Sequence, residues 1–136
     1  MQYWLLIGGT NEDPVQIDWQ AQDQRWPDQG NSPVFNKRPT IKSGDRLIVY
    51  ASGSPKRTGA GRIYKVLEVV GEPTPNEGRW PWRVSTRKII AGPLLDACPT
   101  LADINVNPKS VRRNSHIRLT EEQGILAEEL LSAASS

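Results

Sequence analysis

Apolar positions fall along this 136-residue chain as short runs and alternations, with one helical stripe near the end. Tyr3–Gly8 (YWLLIG) is a compact apolar run closed by a glycine pair, the pattern of a buried strand. Arg46–Ala51 (RLIVYA) follows the turn Ser43-Gly44-Asp45. Alternation along it puts Leu47 and Val49 on one face and Ile48 and Tyr50 on the other. Residues 61–70 (GRIYKVLEVV) come next, after the Gly-rich segment 52–61, so the two runs predict a hairpin. Both are apolar on both faces, which places them centrally in a sheet. Residues 80–91 predict a third long strand, with Trp80, Trp82 and Val84 on one face. Residues 111–119 alternate cleanly: Val111, Arg113, Ser115, Ile117 and Leu119 against Arg112, Asn114, His116 and Arg118.

Helix signals punctuate these runs. Asp13-Pro14 is an N-cap followed by proline at the first helical position, predicting a short helix over 14–22 with Val15 and Trp19 four apart. Thr100 caps a turn over 101–105, with Asp103 in the capping-box place. Thr120 to Gln123 is a second capping box and opens a helix over about 121–133, with Ile125, Leu126, Leu130 and Leu131 as its apolar stripe. Residues 23–40 and 71–78 are polar and rich in Pro, Gly and Asn, and predict loops; a connection as long as 23–40 is often functional. The total is an α+β domain: five or six mostly antiparallel strands in a small twisted β-barrel, with two or three helices packed on it. Neither a repeat nor a linker divides the chain, so one domain over 1–136 is expected, its core about 2–133.

Composition narrows the chemistry. Cys98 and His116 are the single cysteine and histidine, which excludes an internal disulfide and a Cys/His zinc site. No apolar run approaches the ~20 residues of a membrane span, and the N-terminus lacks the basic flank of a signal peptide. A soluble, cytoplasmic, monomeric protein without metal or cofactor is expected. Net charge is only +2, but residues 37–90 hold twelve Lys and Arg against four acids, while the flanking parts are acidic. One positive surface of this kind attracts phosphates. Hydrolytic motifs are missing: there is no GxSxG elbow, HExxH or Walker lysine. His116 lies between Arg112, Asn114 and Arg118, where neighbouring cations disfavour its protonation. A surface or hydrogen-bonding role suits it better than that of a catalytic base, and Cys98 reads as a buried structural thiol.

Five tryptophans stand against one phenylalanine and three tyrosines. Trp4 belongs to the first apolar run and reads as core, as does Trp19. Trp26 lies in the polar segment RWPDQGNSP, either as cover or as a stacking platform. Trp80 and Trp82 begin a strand between Arg79 and Arg83, with Arg87 and Lys88 beyond; one indole reads as core and the other as a pocket wall. Aromatics interleaved with cations suit bases that leave the stack, since each base–aromatic stack is worth ~1–3 kcal/mol.

The order of these motifs resembles the EVE domain, a PUA-like barrel related to YTH and ASCH domains. The resemblance rests on GGTN after the first strand, IKSGDRLIVYASG, GRIYKVLEVV, RWPWRVSTRKI and SVRRNSHIRLTEEQ before the last helix. It implies a non-catalytic module that binds DNA or RNA and reads a modified base flipped into an aromatic pocket. The base would be a methylated or hydroxymethylated cytosine, or N6-methyladenine. By position, the resemblance assigns the base pocket to Thr10, Asn11, Trp26, Asn36, Ser52, Gly53, Trp80 or Trp82, Ser115 and His116. Phosphate contacts fall to Lys56, Arg57, Arg79, Arg83 and Arg113. The alternatives are a nucleoside-modifying amidohydrolase of ASCH type, built on a lysine, a threonine and a glutamate, and a protein-interaction module.

Overall fold

The computed structural model describes residues 1–8, 33–51, 62–78, 80–91, 97–107 and 116–135. The expected α+β architecture is present. Among the described residues, eight strands form two sheets: β1 (Tyr3–Gly8), β2 (Val34–Phe35), β3 (Arg46–Ala51), β4 (Ile63–Val69), β5 (Thr74–Pro75), β6 (Trp82–Arg83), β7 (Thr86–Ala91) and β8 (His116–Leu119). A helix, α1 (Glu121–Ser135), closes the chain. The larger sheet has the order β7-β4-β3-β1-β8 and the smaller β2-β6-β5. The hairpin expected from the central runs is the antiparallel pair β3–β4. Both strands lie inside the sheet, as their apolar faces require.

Two expectations are corrected. First, the described strands form two sheets and not one closed barrel. The run 80–91 explains this, because it is two strands and not one. The Val84 N–H donates to the Pro33 carbonyl (3.1 Å), while the Ser85 carbonyl accepts from the Val70 N–H (2.9 Å). The chain therefore changes sheets at Val84–Ser85, giving β6 to the small sheet and β7 to the large one. Trp80 precedes the break in a bend, so Trp80, Trp82 and Val84 share no strand face. Second, the segment 23–40 is not wholly loop, since Val34–Phe35 pairs with β6. The strands pair mostly antiparallel as expected, with β1 and β3 the one parallel pair among the described strands. A parallel pair needs a crossover of a dozen residues or more, and the stretch between β1 and β3 supplies it. The helix expected over 14–22 lies outside the described residues. The described helical elements include α1 and a 3-10 turn at Ala102–Ile104.

Both capping boxes form as the sequence predicts. Thr120 and Gln123 exchange bonds of 3.0 and 3.1 Å, and Thr100 and Asp103 bonds of 2.9 and 3.3 Å. The stripe that α1 turns inward differs from expectation: Gly124, Ala127 and Leu131 are buried, with Leu126 and Leu130 half-buried, while Ile125 is exposed. The small side chains let the helix approach the sheet. Tyr3 and Arg46 are paired in register, and both donate to Glu128, Tyr3 through its hydroxyl at 2.9 Å. Their face of the large sheet is thus covered by α1. Trp4 lies on the opposite face, where Phe35 of the small sheet packs. Among the described residues no helix is long and apolar enough to cross a membrane.

Candidate functional site

At one end of the large sheet the described chain leaves or re-enters at the segments that hold most of the sequence-predicted site. A row of paired residues runs across the sheet as Ala91–Lys65–Val49–Leu6–His116. Beyond this row β1 and β3 finish side by side, with Gly8 opposite Ala51. β4 and β8 start at the same end, and β7 finishes there. Segments 9–32, 52–61, 92–96 and 108–115 therefore all attach at this end. Thr10, Asn11, Trp26, Ser52, Gly53, Lys56, Arg57, Arg113 and Ser115 belong to these segments and lie outside the described residues, as does Arg79.

Next to that end is an aromatic cluster that joins the two sheets. His116 opens β8, and its imidazole lies 5.6 Å from the Trp4 ring at an interplanar angle of 59°. On its other side is Phe35, 5.1 Å away and nearly perpendicular. Phe35 in turn is paired with Trp82 across β2–β6. Trp82 is half-buried against the core, and the Arg38 guanidinium lies over its ring at 5.3 Å. Trp4 is fixed from behind, because its Nε1–H donates to the buried Asp45 carboxylate at 3.0 Å. The cluster thus runs from the GD turn, through β1 and β8, into the small sheet.

The structure separates the two tryptophans of RWPW. Trp82 takes the core side, whereas Trp80 is 39% exposed. Asn36 is exposed in the bend that follows β2. Arg83 is exposed and donates through Nη2 to Asn76 Oδ1 at 2.7 Å. Of the expected site residues that are described, His116 and Trp82 are brought to one cluster. Asn36, Trp80 and Arg83 lie on the small sheet and its flanks. Sequence reasoning missed Phe35, Arg38 and Lys65. Phe35 sits in a proline-flanked stretch that looks like loop, and only its being the sole phenylalanine marks it. Lys65 is 4% exposed in a strand where alternation alone gives no reason for a charge.

Burial lowers the pKa of His116 below the usual imidazole value. The expected direction holds, and burial of the ring is its cause. A histidine depressed in this way contributes stability that is complete above the unfolded value near 6.5 and is lost as pH falls toward the folded one. The His116 ring resonances should therefore titrate at lower pH than those of an unstructured peptide. Proton NMR across pH 4–8 checks this, and a midpoint at or above the peptide value would contradict the burial argument.

No protein-family model matches the chain, and no curated protein matches it in sequence. Its backbone is nevertheless similar to several solved structures. One is human THYN1 in complex with 5-methylcytosine-containing DNA, at 13% identity and TM-score 0.54, over 100% of this chain and 99% of that one. An NMR structure from Rhodopseudomonas palustris aligns at 17% identity and TM-score 0.55, over 98% and 94% of the two chains. A crystal structure from Agrobacterium tumefaciens aligns at 20% identity and TM-score 0.51, over 98% and 93%. At such identities the likeness is one of fold. The α+β fold expected from the sequence is the one these structures share with this chain.

Proposed function

We propose that this chain is a non-catalytic nucleic-acid-binding module that reads a modified base, with a methylated cytosine as the first candidate. The observation that carries the reading is the shared fold with human THYN1, whose structure holds 5-methylcytosine-containing DNA. The attachment of four segments at one end of the large sheet supports it, beside an aromatic cluster that includes His116 and Trp82. A base drawn out of the stack would sit at that end. Thr10, Asn11, Ser52, Gly53 and Ser115 would read its edge, and Trp26 with Trp80 or Trp82 would stack on its faces. Extrusion costs a few kcal/mol, and stacking at ~1–3 kcal/mol per aromatic offsets it.

The test is fluorescence anisotropy with labelled oligonucleotides bearing cytosine, 5-methylcytosine, 5-hydroxymethylcytosine, adenine or N6-methyladenine, in DNA and RNA. We expect binding at low salt, with preference for one modified base. Absence of binding to every oligonucleotide at 50 mM salt would sink the reading. One observation favours a second reading, an amidohydrolase of ASCH type: Lys65 is buried on the same row of the sheet as His116. Turnover of acylated nucleosides, lost in Lys65→Met, would establish that reading instead.

A further inference from the structure

Five of the six described arginines are held in two different ways. Arg46 is ion-paired with Glu128, and Arg87 with Glu68 at 2.9 Å. Arg62 is turned onto the Cys98 carbonyl, a backbone tie within the fold. Arg38 and Arg83 are different: both are exposed, both are oriented by neutral groups, and neither makes an ion pair among the described residues. Arg38 rests on the face of Trp82. A cation–π contact uses the flat side of the guanidinium and leaves its N–H edges able to donate. Arg83 is steadied by Asn76, which spends its other groups on the backbone. The Asn76 Nδ2 donates to the Trp80 carbonyl at 2.8 Å, and its N–H donates to the Pro81 carbonyl at 2.8 Å.

Geometry puts the two charges astride one short strand. Arg83 belongs to β6 in register with the exposed Val34 and Thr74, so it stands on the outer face of the small sheet. Trp82 precedes it on the face it shares with its register partner Phe35, and the Arg38 guanidinium lies over that indole. An arginine pre-ordered by a neutral partner loses little side-chain freedom on binding and keeps its full charge for an anion. Lys37 beside Arg38 adds a third exposed cation, whereas the exposed Glu72 and Glu77 on the β5 side are paired with neither arginine.

We propose that Arg38 and Arg83 form a phosphodiester clamp on the small sheet, gripping the strand on either side of β6. The clamp rests on the nucleic-acid reading above, and it goes beyond that reading in assigning the backbone contacts to the small sheet. It makes Trp82 a support for a phosphate-binding arginine and leaves base stacking to other aromatics. Arg38 is then a residue that contacts the backbone, and Asn76 a residue that positions Arg83.

The experiment measures the salt dependence of oligonucleotide affinity, from 50 to 200 mM, for wild type, Arg38→Gln, Arg83→Gln, the double variant and Asn76→Ala. Each lost phosphate contact should flatten the log–log salt slope by about 0.9 on duplex DNA or about 0.7 on single strands. Between those salts this corresponds to roughly a three-fold smaller change in affinity per contact on duplex DNA. The double variant should lose both increments, and Asn76→Ala should weaken binding less than Arg83→Gln. The ratio of affinities for modified and unmodified base should stay constant in both arginine variants, which a structural defect would not preserve. Thermal melting confirms that each variant folds. If wild type binds and both arginine variants keep its slope, the clamp is overturned and the base-reading proposal stands. If wild type binds no oligonucleotide, both are overturned.

Discussion

Gly124→Ala should unfold the protein at a markedly lower temperature, although Ala is the better helix former. Propensity alone predicts that this change in the first turn of α1 stabilises by up to about 1 kcal/mol. Packing predicts the opposite. A Cβ at Gly124 would stand 2.1 Å from Tyr3 Cγ and 2.3 and 2.5 Å from its two Cδ atoms. These atoms are near the base of the ring, and the ring cannot swing aside freely because its hydroxyl is tied to Glu128. Helix α1 would have to lift off β1, opening space over a core that includes Leu5 and Ile48. Overpacking of this kind costs about 1–3 kcal/mol, occasionally more, so the clash exceeds the propensity gain. The net loss expected is about 2 kcal/mol, which for a chain of this size lowers Tm by roughly 6–10 °C. Differential scanning calorimetry reads the shift. Pairing the change with Tyr3→Leu should recover part of it, because the two residues occupy the same space. A Tm at or above that of wild type would show that the helix does not seat on Tyr3.

The contrast between Gly124 and the strands separates what local pattern reveals from what long-range pairing decides. Periodicity locates β1, β3 and β4 because each buries both faces, and a run such as YWLLIG has few other uses. The capping boxes at Thr100 and Thr120 are legible because their signal is local, two bonds between residues three apart. The inward stripe of α1 is not, because Ile125 looks like core until Tyr3 is known to fill the place over Gly124. The break at Val84–Ser85 is hidden for a similar reason. Two partners from distant segments, Pro33 and Val70, pull the chain into different sheets there, and neither shows in the local pattern. The candidate site follows the same division. The bias toward tryptophan and the basic middle suggest nucleic acid, and motif order suggests the fold. The cluster that joins Trp4, His116 and Phe35 is a product of long-range pairing, so only His116 among its members stands out in the sequence as a site residue. Alternation with Arg112, Asn114 and Arg118 puts His116 on a polar face. The small sheet, closing over that face, is what buries it.

Asp45→Ala should cost still more than the glycine change, because it leaves three donors in a nearly dry place. The Asp45 carboxylate is 4% exposed. It accepts from the Gln2 N–H at 2.9 Å, from Trp4 Nε1 at 3.0 Å and from the Lys42 N–H at 3.0 Å. Without it the GD turn loses its closure, the start of β1 loses its anchor and the Trp4 indole loses its orientation. Each donor left unpaired costs roughly 1–3 kcal/mol where water does not reach it, so a total of about 4 kcal/mol is expected. That is a large share of the ~5–15 kcal/mol that holds a domain together. Asp45→Asn keeps one acceptor oxygen but turns an NH2 toward the remaining donors, and it should lose about half as much. Acid provides an independent check on the same carboxylate. Burial raises its pKa, but the bonds from Lys42, Trp4 and Gln2 together outweigh burial and hold it below the usual value of 3.8. Its stabilising contribution is therefore complete above the unfolded carboxylate value and is lost as pH falls through the lower folded one. Urea melts of wild type and Asp45→Asn should differ widely at pH 7 and converge at strongly acid pH. The Trp4–His116 contact couples the turn to the candidate site, so the His116 resonances should move in Asp45→Asn even though the two residues are on different strands. If Asp45→Ala melted within 0.5 kcal/mol of wild type, or left the His116 signals in place, the chain of contacts from the GD turn to the aromatic cluster would not be what orients that cluster.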